Sequence, residues 1–270
     1  MFTVHRIESL ELPELAPYRT LKRPAEHEAQ GIFVAEGDKV VHRLLASSLT
    51  VLSVLLPEYR LAEYEPGLRT RHEDIVVYSV TDKRVLEELV GFEMFQGVLA
   101  VAKIPPHGSL EELLARCQSP LLFAAADGLT SAENIGVLVR NCVAFGAQAL
   151  LVGETSASPF LRRAVRNSMG TIFQLPVVET SNLADTLNQL RRQGVRCFAA
   201  HPHTDQKTLQ QVNFTEDCCI VFGSEGNGIS PLVLAACDEA VAIPMPPSVD
   251  SLNVASAAAV FLYEARRQRG

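Results

Sequence analysis

The chain has 270 residues, 47% hydrophobic and 20% charged, which is ample apolar material for a buried core and too much for a disordered chain. Sixteen Gly and fifteen Pro follow no triplet period, which excludes a collagen-like rod. The net charge is −7, so a polyanion must be drawn by local clusters, because phosphate contacts want a basic surface.

In chain order, the first fifteen residues alternate charge with Leu and Pro and hold no signal-peptide apolar stretch. Residues 31–35 form an expected strand. Asp38 is the expected cap of a helix that puts Val40, Val41, Leu44 and Leu45 on one face. Residues 51–56 and 75–80 are further strands, and Thr81 or Asp82 caps a helix through Val90. Val98-Leu99-Ala100-Val101 then runs into the seam Ile104-Pro105-Pro106-His107-Gly108-Ser109. These signals predict a small α/β domain over 1–103, a linker and helix start over 104–117, and a second domain over 118–270.

Beyond the seam the alternation is more regular. Apolar runs at 121–126, 149–152, 172–178, 197–200, 219–222 and 241–243 suit strands covered on both faces. Helices are expected at 134–145, 160–169, 183–193, 231–236 and 254–267, which implies a parallel sheet with helices on both sides. The longest apolar stretch, 254–263, is ten residues and too short for a bilayer core of about 30 Å. Six cysteines form no CxxC pair, so neither a zinc ribbon nor a thioredoxin-like site is indicated. A cytoplasmic protein with reduced thiols, no metal and no membrane partner is the expectation.

Open α/β sheets bind ligands beyond the carboxyl ends of their strands, and three such loops carry chemistry. Gly223-Ser224-Glu225-Gly226-Asn227-Gly228 has three glycines in six residues, which lets backbone approach a ligand closely. It is neither GxGxxG nor the GxSxG nucleophile elbow. Pro244-Met245-Pro246-Pro247 leads to Asp250-Ser251-Leu252-Asn253, where three prolines hold the loop extended, Ser251 is the expected helix cap, and Asn253 offers a two-way amide. Asp127-Gly128-Leu129-Thr130-Ser131 opens a helix in which Arg140 stands among Val137, Leu138, Val139, Cys142 and Val143. A buried arginine there needs an anionic partner, either a structural ion pair or a ligand.

Asn134-x-Gly136-x-x-x-Arg140, Phe222-Gly223-Ser224-Glu225-Gly226-x-Gly228, and Ile243-Pro244-Met245 through Ser251-Leu252-Asn253-Val254-Ala255 resemble the three motifs of the SpoU branch of the SPOUT RNA methyltransferases, in order and separation. The resemblance covers about residues 118–267. Residues 1–103 resemble, less specifically, the ribosomal-protein-like RNA-binding domain that precedes the catalytic domain in many members. The chain departs from many members in having Ser131-Ala132 where they carry Asp-Pro.

The resemblance implies a SPOUT-type parallel sheet with a C-terminal deep trefoil knot, behind a small α/β RNA-binding domain. It implies S-adenosylmethionine as cofactor, a homodimer, and methylation of a ribose 2′-hydroxyl in structured RNA, with ribosomal RNA favoured over transfer RNA. The family's functional positions fall on Asn134, Arg140, Glu225, Ser251 and Asn253, and the cofactor positions on Gly223, Gly228, Ile243, Met245, Ser251 and Leu252. Arg19, Lys22 and Arg23, with Arg162, Arg163 and Arg166, are the local basic groups available to RNA. Two other readings stay open: a catalytically silent RNA-binding protein of this fold, and a hydrolase using Ser224 or Ser251 with His201 or His203.

Overall fold

The computed structural model describes residues 1–81, 86, 97–106, 108–204 and 206–270. The helix expected through Val90 lies almost wholly outside the described residues, as do Gln96 and Asp205. The chain forms two compact units, residues 1–106 with 160–173, and residues 107–159 with 174–270. Sequence reading makes both domains contiguous; the structure gathers 160–173 into the first unit.

The first unit is built on a mixed five-stranded sheet. Its strands are β1 (Phe2–Ile7), β2 (Ile32–Glu36), β3 (Val51–Pro57), β4 (Ile75–Val80) and β5 (Leu99–Lys103), in the order β1-β4-β3-β5-β2. The period-2 rule is legible in β2. Ile32 and Val34 join Tyr18, Leu55 and Val101 on one face, while Phe33 turns to the other and meets Phe160 and Phe173, ring centroids 5.4 and 5.7 Å away. Buried Glu36 receives both Arg162 and Arg166. These aromatic and ionic contacts explain why 160–173 belongs here. Asp38 is the first residue of its helix rather than the cap, a place held by Gly37 at φ 98°. Its carboxylate instead accepts from Tyr64 Oη and Arg60, both at 2.6 Å.

The second unit holds β6 (Leu122–Asp127), β7 (Ala149–Val152), β8 (Val177–Glu179), β9 (Arg196–Ala200), β10 (Lys207–Thr208), β11 (Cys218–Gly223) and β12 (Glu239–Ala242). All pairings are parallel, in the order β10-β12-β9-β11-β6-β7-β8. Phe123, Leu151, Cys197, Val221 and Leu187 pack into one core, as continuous apolar runs require. The expected strand at 172–178 is corrected: Thr171–Gln174 is a 3-10 turn and only Val177–Glu179 is strand. Pro176 explains the break, because it has no N–H for a ladder; its carbonyl accepts from Leu150 N at 3.0 Å and the strand starts after it. All six cysteines are free thiols. Among the described residues no helix is long and apolar enough to cross a membrane.

Because the sheet is parallel, the carboxyl ends of the neighbours β12, β9, β11 and β6 open on one side. The loops that follow them meet there, together with the helices Ala132–Phe145 and Val254–Arg269, which pack on each other.

Candidate functional site

The loop after β11 closes on itself. Ser224 N donates to Gly228 O at 3.0 Å and Gly228 N to Ser224 O at 2.9 Å, with Gly228 at φ 67°. A Cβ on Gly223 would stand 2.2 Å from the carbonyl carbon of Gly228, so only glycine allows this closure. Buried Asp127, at the end of β6 and in register with Gly223, anchors the far end by accepting Ser230 N at 2.6 Å.

The loop after β12 runs to the last helix, and Asn253, not Ser251, is the cap. Its Oδ1 accepts from Ala255 N at 2.9 Å and from Ser256 N at 3.4 Å. Ser251 lies too far before the first turn to reach those amides, and it lines the cavity instead. The Nδ2 of Asn253 donates to Asn134 Oδ1 at 3.2 Å and to Glu225 Oε1. One side chain therefore joins all three motif loops. Ser131 caps the helix Ala132–Phe145 by accepting Asn134 N at 3.2 Å, the service an Asp performs equally well at that position. Two turns along the same stripe, Asn141 donates to Ala255 O at 2.7 Å and ties the two helices again.

Arg140 is exposed, which corrects the expectation of a buried cation. Ile135, Leu138, Val139 and Cys142 take the inner face. At about 100° per residue, position 140 turns roughly 140° away from Ile135. Arg140 makes no hydrogen bond or ion pair with a described residue. Among the described residues, neither it nor Ser251 is hydrogen-bonded to the Asn134–Asn253–Glu225 set.

A cavity of about 250 Å³ opens between the loops. Gly223, Glu225, Gly228, Ile243, Met245, Ser251 and Leu252 all line it, so every expected cofactor position meets in one place. Phe222, Val241, Val254, Ala257 and Phe261 form its apolar wall. His201 and His203 line it too; their position just past β9 was the available signal. Of the two hydrolase candidates, Ser224 accepts Asn227 N at 3.1 Å, and no described histidine is hydrogen-bonded to Ser224 or Ser251.

Most of the basic groups named as available to RNA already have partners within the chain. Arg162 and Arg166 are bound to Glu36, Arg23 pairs with Glu26 at 3.1 Å, and Arg19 donates to the carbonyls of Leu10 and Leu12. Lys22 is exposed. Arg163 belongs to the first unit and has interactions of its own. Among the described residues one cluster has metal-ligand geometry, Asp38, His42 and Glu63, but the Arg60 guanidinium already bonds both carboxylates.

Comparison with known proteins decides between the open readings. The model of the SpoU rRNA methylase family matches residues 121–263. The chain belongs to that family. It is an RNA methyltransferase by that membership. A tRNA/rRNA methyltransferase of Mycobacterium tuberculosis, itself uncharacterized, is 32% identical over 262 residues, covering 94% of this chain and 89% of its own length. The 23S rRNA (guanosine-2′-O-)-methyltransferase RlmB of Shewanella oneidensis is 34% identical over 194 residues, covering 71% of this chain and 78% of its own. The SpoU methyltransferase AviRb from Streptomyces viridochromogenes, solved in complex with its cofactor AdoMet, superposes with a TM-score of 0.82 at 26% identity, covering 96% of this chain and 99% of that one. The two-domain arrangement of an α/β unit before a SPOUT unit is thus shared with the family's solved structures.

Proposed function

We propose that the chain is a cytoplasmic, homodimeric enzyme that methylates a ribose 2′-hydroxyl of ribosomal RNA with S-adenosylmethionine. The observation that carries the reading is the Asn134–Asn253–Glu225 junction, whose Glu225 lines a cavity together with three glycines, in a SpoU-family chain. Ribosomal RNA is favoured because the RlmB relative is named for 23S rRNA and its match spans most of this chain.

The cavity fits S-adenosylmethionine. Its apolar wall suits an uncharged nucleoside, and the Gly223–Gly228 loop brings backbone to the ligand without a Cβ in the way at its glycines. Backbone at Gly223, Gly228, Ile243, Met245 and Leu252, with the Ser251 hydroxyl, holds it. Bound there, it supplies a methyl group already activated by positive sulfur, so the protein must provide in-line placement and help for a weak nucleophile.

Arg140 provides that help. A guanidinium with a pKa above about 12 does not act as a base at neutral pH, so it stabilises the developing alkoxide or grips the adjoining phosphate. With no ion pair to a described residue, its charge is available. Glu225 and Asn134 hold Asn253, and the three keep the loops in register for the ribose. In this reading the segment from Ile243 to Asn253, which passes the glycine loop to reach Asn134, is the threaded part of the trefoil knot. Exposed Val260 and Tyr263 on the last helix are the apolar surface for the second copy.

The test is transfer of labelled methyl from S-adenosylmethionine to ribosomal RNA lacking the modification, followed by alkaline hydrolysis. A 2′-O-methyl blocks cleavage by the neighbouring oxygen, so label is expected in alkali-resistant dinucleotides. Label recovered as mononucleotide instead would mean base methylation. The Arg140→Ala variant is expected to lose at least 100-fold in transfer while binding S-adenosylmethionine within about threefold of wild type.

A further inference from the structure

We infer that Asn141 is a positioning residue for methyl transfer: its amide fixes the roll of the helix Ala132–Phe145 against the last helix and thereby sets where Arg140 stands. The inference rests on the role given to Arg140 above. Asn141 is half-buried and follows the last residue of the first motif. Its Nδ2 donates to Ala255 O at 2.7 Å, a shorter bond than the 3.2 Å one from Asn253 to Asn134. Asparagine is a poor residue for a helix interior, so the helix by itself gains nothing from it.

The stretch that Asn141 meets has little relief of its own. Ala255, Ala257, Ala258 and Ala259 surround Ser256, and helices lock together by side-chain ridges entering grooves, which methyl groups supply only weakly. The ring contact between Phe145 and Tyr263, centroids 6.0 Å apart, lies farther along both helices. At the end near the motifs two directed bonds hold the pair, one at Asn134 and one at Asn141, about 10 Å apart along the first helix. Two such points fix both slide and roll. A single polar residue in an otherwise apolar helix contact sets register in the same way in coiled coils.

Arg140 is the neighbour in the chain. It makes no bond to a described residue, so its stance is that of its helix. Side-chain ends lie about 5–6 Å from a helix axis, so a roll of about 10° moves them by about 1 Å. A misplacement of about 1 Å can cost on the order of 100-fold in rate, because transfer depends on in-line placement. Asn141 is not among the residues lining the cavity, and cofactor binding, spread over many contacts there, is far less sensitive to such a shift.

The experiment measures single-turnover transfer of labelled methyl from S-adenosylmethionine to ribosomal RNA lacking the modification, with cofactor affinity and thermal unfolding alongside. It uses the full chain as wild type, Asn141→Ala, Asn141→Leu, Arg140→Ala, and the double variant Asn141→Ala with Arg140→Ala. Neither Ala nor Leu can donate; Ala suits the helix and Leu keeps the volume. Both single variants at 141 are expected to melt within about 3 °C of wild type and to bind S-adenosylmethionine within about threefold, yet to transfer methyl about tenfold more slowly. In the Arg140→Ala background the added loss is expected to be under about twofold, because a displaced Arg140 and an absent one are equivalent. Wild-type transfer rates in both Asn141 variants would overturn the inference. So would a tenfold loss that persists undiminished without Arg140, or one matched by lost cofactor affinity or by loss of folded protein, which would show a purely structural role. Wild-type protein that transfers no methyl, or Arg140→Ala that transfers at the wild-type rate, would instead sink the reading on which the inference rests, and the inference with it.

Discussion

The Asn253 amide faces two ways, and its two ends serve separable purposes. Its oxygen caps the last helix through Ala255 N and Ser256 N, while its nitrogen bonds Asn134 and Glu225. Asp is as good a cap as Asn but cannot donate, and it sets a carboxylate against Glu225. We therefore expect Asn253→Asp to keep stability within about 1 kcal/mol of wild type yet lose at least tenfold in methyl transfer. Asn253→Ala loses the cap as well and is expected to unfold about 1 kcal/mol more easily, measured by urea titration beside the transfer assay. If Asn253→Asp transfers methyl at the wild-type rate, the junction is only a cap. That junction was half legible in the sequence. The two-way amide was visible from residue type and position, but the choice between Ser251 and Asn253 as cap depends on backbone angles that spacing does not carry.

Among the elements, the runs that were easiest to read are those where one physical constraint dominates. Strands β6, β7, β9 and β11 are buried on both faces, so their sequences are unbroken apolar runs, and each was placed to within a residue or so. β1 carries no such signal because it is an edge strand whose middle residues, Thr3 to Arg6, are exposed and, Val4 apart, polar. Arg140 misled for a related reason: apolar neighbours report the face of a helix they occupy, not the face of the residue between them.

The first unit also holds an element-scale hub that no pattern announces. Arg71 donates to the carbonyls of Leu45, Ser47 and Leu49 and to Glu73, while Glu73 accepts Val51 N at 3.0 Å. Burial pushes the Glu73 pKa up, but the bonds from Arg71 and Val51 outweigh it and hold the carboxyl at about 2, against an ordinary 4.5. A folded-state pKa below the unfolded one means stability that is complete above the unfolded value and is lost as pH falls toward the folded one. Glu73→Gln is expected to cost about 2 kcal/mol at pH 7. In denaturant titrations across pH, the difference between variant and wild type should shrink below about pH 4.5 and approach zero near pH 2. A difference independent of pH would show that hydrogen-bond geometry, not the charge on Glu73, sustains the hub.

For the whole molecule, the question is how a chain of net charge −7 holds RNA. Neither unit is basic in sequence, and many of the arginines are occupied: Arg162 and Arg166 by Glu36, Arg60 by Asp38 and Glu63, Arg191 by Asp238, Arg196 by Glu239. Recruiting any of these to phosphate breaks an existing pair, so its net contribution is small. Exposed cations such as Arg140 and Lys22 remain for direct phosphate contact. Each neutralised phosphate steepens the fall of log affinity with log salt by about 0.7 to 0.9. An RNA enzyme that works through a broad basic face makes many such contacts; this one is expected to make few, with a slope shallower than about −3. Filter binding of the RNA substrate between 50 and 300 mM salt measures it. Arg140→Ala should lower the magnitude by close to one contact, whereas Arg162→Ala should leave it unchanged. A slope steeper than about −5 would mean that the Glu36 pairs open on binding and their arginines turn to the RNA. In that case Arg162→Ala and Arg166→Ala would each flatten the slope, and recognition would be coupled to rearrangement within the first unit.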